Sequence, residues 1–92
     1  MSEVTHEPAY HRFEVRLDRA TAILVYKLGG DTIYFVHTEV PPEMEGKGIG
    51  GRLAKAGLEY ARENELKVVA RCPFVASYLQ RHPEYSDLVS TD

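Results

Sequence analysis

From Arg12 to Asp18 charged and apolar residues alternate: Phe13, Val15 and Leu17 fall on one side, Arg12, Glu14, Arg16 and Asp18 on the other. A period of two marks a strand with one face in a core and one in water. Asp18, Arg19 and Ala20 make a short turn. The next run, Thr21 to Leu28, is apolar on both faces through Ala22, Ile23, Leu24, Val25 and Tyr26, which predicts a more central strand. Gly29, Gly30 and Asp31 suit a tight hairpin, because glycine tolerates the positive φ angles of two-residue turns. A third strand then runs from Thr32 to Val40, where Pro41 and Pro42 stop it.

The period changes after the prolines. Ile49, Leu53, Ala54, Gly57, Leu58 and Ala61 form the apolar stripe of a helix over residues 49 to 64, with Arg52, Lys55, Glu59, Arg62 and Glu63 outside. Gly57 costs about 1 kcal/mol against alanine inside a helix, and a close approach to the sheet would explain it. Leu66 to Ala70 is a short β-branched run that the preceding helix joins as a parallel crossover. A second helical pattern extends from Phe74 to about Gln80 and ends at His82-Pro83. Tyr85, Leu88 and Val89 predict a short closing strand. Residues 1–11 are polar and aperiodic, and are expected to be a flexible lead-in to one domain over residues 12–92.

Composition narrows the class. Ninety-two residues allow one core and not two. The hydrophobic fraction of 43% is that of a soluble globular chain rather than a disordered one. A net charge of -3 argues against a general nucleic-acid binder, although Lys47, Arg52 and Lys55 cluster locally. No apolar run approaches the roughly 20 residues that span a bilayer, and the N-terminus lacks the pattern of a signal peptide, so no membrane partner and a cytoplasmic location are expected. The single cysteine, Cys72, has no internal disulfide partner. His6 and His11 lack a partner set for a metal, and no metal site is expected.

The densest signal is Val40 to Gly51, V-P-P-E-M-E-G-K-G-I-G-G, where a strand ends and a glycine loop opens a helix. Amides in the first helical turn have no partner inside the helix, and glycines leave them uncovered, so such a loop suits an anion, most often a phosphate. Gly46, Gly48 and Gly51 satisfy the dinucleotide template G-x-G-x-x-G. Five residues separate strand from glycines, however, and the position of the ribose-binding acid falls near Arg71, which would suit an NADP phosphate instead. A P-loop is excluded because Lys47 precedes Gly48 rather than following the last glycine.

Glu45, Gly48 and Gly50 occupy the defined positions of a second template, Gln/Arg-x-x-Gly-x-Gly/Ala, the pyrophosphate loop of the GCN5-related N-acetyltransferases. From His37 to Tyr85 the chain resembles the compact one-domain branch of that superfamily, with V-P-P before the loop and C-P-F after the next strand. The resemblance implies an α/β (α+β) fold, a minimal mixed sheet of antiparallel N-terminal strands followed by a helix, a parallel strand and a second helix. It also implies acetyl-CoA as donor, with strand backbone at Val40 and a cradle from Gly46, Lys47, Gly48, Ile49, Gly50 and Gly51. Transfer of acetyl to an amine, on a protein lysine or a small molecule, is the implied activity. A coenzyme A-binding module with little turnover is the alternative.

Acetyl transfer needs a neutral amine and a route for its proton. Glu39 and His37 alternate on one face of the third strand and are the candidate bases. Cys72, at the start of the second helix, is a candidate to touch the thioester or accept the acetyl group, against the ordinary role of a small buried hydrophobe. Two residues depart from the family. Glu45 stands where Gln or Arg is usual, and aligning Ala76 and Leu79 with A-x-x-L-Y puts Gln80 in the place of the tyrosine that protonates the thiolate. Tyr78 lies about 200° around the helix from that position.

Overall fold

One five-stranded sheet keeps the order of the chain, β1-β2-β3-β4-β5, with every neighbouring pair antiparallel except the last. The computed structural model describes residues 4–90. The strands are β1 (Thr5–Glu7), β2 (Arg12–Leu17), β3 (Ala20–Gly29), β4 (Thr32–Glu39) and β5 (Lys67–Ala70). Helix α1 (Ile49–Glu63) crosses from β4 to β5, and α2 (Pro73–Arg81) follows β5. Alternation sends Phe13, Val15, Ala22, Leu24, Tyr26, Ile33 and Phe35 to a buried face. Leu53, Ala54, Leu58 and Ala61 of α1 complete that core.

Gly57 sits where helix and sheet come closest. A Cβ built there would lie 2.7 Å from Phe35 Cε1 and 3.2 Å from Leu24 Cδ2, so the glycine is what allows α1 to seat on β3 and β4. Glu14 alternates to the other face of the sheet, opposite Ile23 of β3. It is 2% exposed there and is paired with Arg12 at 2.6 Å and Arg16 at 3.2 Å, which compensates the desolvation of its carboxylate.

Two expectations are corrected at the ends of the chain. Residues 5–10, read from their polarity as part of the lead-in, form β1 and a 3₁₀ turn (Pro8–Tyr10). The first of these pairs with β2, Thr5 opposite Glu14 and Glu7 opposite Arg12. The closing strand expected from Tyr85, Leu88 and Val89 is instead a 3₁₀ helix (Pro83–Leu88) followed by a single parallel bridge between Val89 and Val68. Pro83 cannot donate to a ladder, and Tyr85 is drawn inward to donate from its hydroxyl to Glu59 at 2.6 Å. Burial and that carboxylate together push the Tyr85 phenol up. Arg62 clamps the same segment through two bonds to Asp87, each 3.0 Å, and one to the Glu84 carbonyl.

β1 is held by its histidine. His6 stacks on Phe13 at 4.3 Å, meets the Tyr60 ring edge-on at 4.6 Å, and its Nε2 lies 2.6 Å from the Tyr26 hydroxyl. Burial lowers its pKa, and the neighbouring Glu7 charge offsets this only in part. A histidine with a depressed folded pKa contributes fully above the unfolded value of about 6.5, and that contribution is lost as pH falls through the folded value. Wild type is therefore expected to melt above His6→Asn at pH 7.5, with the gap narrowing toward pH 5. A pH-independent gap in paired thermal scans would remove His6 from the acid response.

Candidate functional site

β4 and β5 pair only from Thr32 with Lys67 to Phe35 with Ala70. Beyond that point the chain leaves the sheet, and the amides of both Arg71 and Cys72 donate to the Phe35 carbonyl at 2.9 Å. β4 continues to Glu39 with β3 on one side only, which leaves a free strand edge beside the helices. A bulge lies just there. Tyr26 is opposite Phe35 and Val25 opposite His37, so Val36 is the extra residue.

That bulge exchanges the faces of β4. Without it, the inward set Ile33, Phe35 would continue to His37 and Glu39. With it, Thr38 turns to the helix side opposite Leu24, while His37 and Glu39 pair with Val25 and Ile23 on the open face. His37 Nε2 and Glu39 Oε1 lie 3.8 Å apart, both well exposed. The candidate bases therefore share a face with each other and not with the glycine loop.

The glycines of the loop differ in what each is there for. Gly46 and Gly48 have φ of +83° and +71°, a region that L side chains rarely adopt, and a Cβ on either would meet nothing within 4 Å. Gly50 is small for packing: a Cβ there would fall 2.7 Å from Phe74 Cζ. Gly51 is neither, since its Cβ would make ordinary contact with Tyr78 at 3.6 Å. Pro42–Met44 forms a 3₁₀ turn that plugs Met44, 1% exposed, into the core and anchors the loop from its other end. Gly48 is the N-cap of α1, no side chain caps the helix, and its first turn holds no acidic residue. The amides at the start of α1 are thus open to an anion.

Loop, strand edge and α2 enclose an open cleft of about 790 Å³. Thr38, Val40, Gly46, Gly48, Ile49, Gly50 and Gly51 line one part, and Phe74, Tyr78, Arg81 and His82 another. Lys47 is not among the lining residues. It borders a neighbouring hollow with Asp18, Arg19 and Glu43, whereas Glu45 does face the cleft. Cys72, the N-cap of α2, is 4% exposed and lies one layer behind the wall, with its Sγ 3.0 Å from Thr38 Oγ1.

The helical angle between Tyr78 and Gln80 puts them on different sides of α2, and it is the Tyr78 side that faces the cleft. Tyr78 lines the cleft, while Gln80 borders a separate hollow with Val69 and Val89. Burial raises the Tyr78 phenol pKa, with smaller effects from Glu84, Arg81 and Glu59. Arg81 and His82 had no sequence signal beyond their place at the end of the helix. Among the described residues no group of three or more His, Cys, Asp or Glu is arranged to hold a metal. Among the described residues, no helix is long and apolar enough to cross a membrane.

A mixed α/β domain with a glycine-opened helix beside a splayed parallel pair defines a class. The chain belongs to the GCN5-related N-acetyl-transferase family, whose profile matches residues 12–88. In sequence it is similar to Protein NATD1 of Xenopus tropicalis, 36% identical over 84 residues covering 87% of this chain and 76% of the relative. Protein NATD1 of Homo sapiens is also 36% identical, over 83 residues, 87% of this chain and 74% of the relative. Among solved structures, the solution structure of a GCN5-like putative N-acetyltransferase from Staphylococcus aureus superposes with a TM-score of 0.76. It is 33% identical, and the match covers 96% of this chain and 87% of that one.

Proposed function

We propose that the cleft binds acetyl-CoA and that the protein transfers its acetyl group to an amine. The observation that carries this reading is the junction of an uncapped glycine-lined helix start with the free edge of β4 in one cleft. The positive φ values of Gly46 and Gly48, with open space where a Cβ would be, suit a diphosphate resting on backbone. Amides of Ile49, Gly50 and Gly51 would hold it, and the unpaired edge of β4 near Thr38 and Val40 would hold the pantetheine arm. The thioester supplies an activated acetyl group.

His37 and Glu39 suit an amine arriving from the open face of the sheet, opposite the donor, at the place where β5 has left β4. One of them takes the amine proton, directly or through a water. Replacing both with glutamine is expected to lower kcat by about 100-fold with acetyl-CoA affinity unchanged. An unaltered kcat would take the pair out of the mechanism. Cys72 acts through Thr38 in this reading: it is buried behind the wall and positions the threonine hydroxyl. Intact mass after incubation with acetyl-CoA is expected to show no acetyl on Cys72, and a stable acetyl-cysteine would instead place the thiol in the chemical path.

The separation of His37 and Glu39 from the cleft also favours a second reading, a coenzyme A-binding module with little turnover. Calorimetric titration with acetyl-CoA, followed by assay of free thiol release with amine and lysine-peptide acceptors, separates the two. Binding with acceptor-dependent release supports the transferase. Binding without release across the acceptors supports the module, and no binding by the folded protein overturns both.

A further inference from the structure

The face of the sheet that carries His37 and Glu39 continues past them toward the β3–β4 hairpin. Val25 of β3 lies opposite His37, and Ile23 opposite Glu39. The next row on this face, on the side away from Glu39, holds Lys27 of β3, Tyr34 of β4 and Val69 of β5. Measured along β3 at about 3.3 Å per residue, that row is about 7 Å from the His37 row and about 13 Å from the Glu39 row.

Arg71 joins this row from the point where β5 leaves the sheet. Its amide is tied to the Phe35 carbonyl, and its guanidinium lies over the Tyr34 ring, 5.0 Å from the centroid. The ring rests beside Gly29, where a Cβ would come 3.3 Å from Tyr34 Cε1. A guanidinium held over a ring is fixed in place while it keeps donors for a carboxylate. Arg71 and Lys27 are both exposed and, among the described residues, neither is paired with a carboxylate. Arg12, Arg16 and Arg62 each are, and Lys67, the other cation at this end, lies 4.0 Å from Asp31. The face is thus charged in opposite senses along β4, with a carboxylate at Glu39 and two uncommitted cations around Tyr34.

We propose that Arg71 and Lys27 form an acceptor subsite that selects a polypeptide lysine with an acidic residue two positions away. The proposal rests on the reading that an amine reaches His37 and Glu39 on this face. In an extended chain, side chains two residues apart point the same way and stand about 7 Å apart. A lysine set down on His37 therefore brings such a neighbour to the Tyr34 row, where Arg71 and Lys27 meet its carboxylate. The ammonium is drawn toward Glu39 and the carboxylate toward the cations, so one charge pattern also sets the orientation of the acceptor. A polypeptide is the occupant because the side chains of His37 and Glu39 are 59% and 66% exposed. Side chains so exposed do not enclose a small amine, and affinity has to come from contacts spread along the acceptor.

The test is steady-state acetylation of lysine peptides, read by thiol release and peptide mass, with Glu, Gln or Arg two residues before and after the lysine. Wild type is expected to show a kcat/KM roughly three- to tenfold higher for the Glu peptide than for the Gln peptide, the scale of one or two exposed ion pairs. The advantage should lie in KM and fade in about 0.5 M salt. Arg71→Gln and Lys27→Gln should each shrink it, and Arg71→Glu should turn the preference toward the Arg peptide. Melting temperatures confirm folding, and Lys27→Gln keeps the Arg71–Tyr34 contact, so it serves if the Arg71 variants are unstable. Equal kcat/KM for the Glu and Gln peptides in wild type, or a Glu preference that survives in Arg71→Glu, overturns the subsite and leaves the transferase reading standing. An advantage that persists when the glutamates adjoin the lysine overturns the two-residue spacing. Transfer to small amines with no peptide acetylated overturns the polypeptide acceptor. No transfer to any acceptor by wild type that binds acetyl-CoA overturns the transferase reading, and the subsite with it.

Discussion

Phe35→Ala is expected to lower the free energy of unfolding by about 3–5 kcal/mol, the cost of emptying a fully buried aromatic site. For a single domain whose whole stability is on the order of 5–15 kcal/mol, that is a large share. Phe35 has no exposed surface, lies against Gly57 of α1, and marks the last pair between β4 and β5. The contact with Gly57 gives the experiment a second arm. In wild type, Gly57→Ala puts a methyl group 2.7 Å from Phe35 Cε1, and overpacking of about 1–3 kcal/mol outweighs the gain of about 1 kcal/mol in helix propensity. Once the ring is gone that clash is gone, and the same substitution should become stabilising. Urea denaturation of the four proteins reads the cycle. An effect of Gly57→Ala that is equal in both backgrounds would mean that the close approach does not govern the glycine.

Gly51→Asp should separate stability from binding. The Cβ makes only ordinary contact with Tyr78, and an acidic residue in the first turn of α1 interacts favourably with the helix dipole. Replacing glycine inside a helix adds a further few tenths of a kcal/mol. The melting temperature should therefore stay level or rise. The same carboxylate faces the cleft where a diphosphate would rest, and acetyl-CoA affinity should fall about 10- to 100-fold, in keeping with the loss of one or two charge-assisted hydrogen bonds. Gly48→Glu would be a poorer probe, because its φ of +71° strains any side chain and confounds folding with binding. Undiminished affinity in a stable Gly51→Asp variant would show that the anion does not rest on this turn.

The four principal strands and both helices were legible from periodicity, because each buries one face against a single core and so must repeat apolar residues at its own spacing. Helix α1, expected over residues 49 to 64, ends one residue earlier, and β4 ends at Glu39 rather than Val40. Gly57 was legible for a related reason, since a helix former would otherwise be favoured there. The chain's membership of its family was carried by a local motif, the glycine loop at a strand-to-helix junction.

Other features escaped the sequence because partners distant along the chain create them. β1 is three residues long, too short to show a period, and its histidine gains meaning only beside Tyr26 and Phe13. Tyr78 reaches the cleft because α2 packs beside Gly51, a rotation that helical angle alone does not fix. The side of β4 on which His37 and Glu39 stand was decided by Val36 alone. One extra residue in a ladder of period two moves every later side chain to the other face, and no local preference of Val36 announces it. The sequence by itself determined the four longer strands, both helices, their order and the glycine loop that opens α1. The tertiary structure decided which side chains share the cleft, because that depends on register and helix rotation, which are set by packing between segments far apart in the chain.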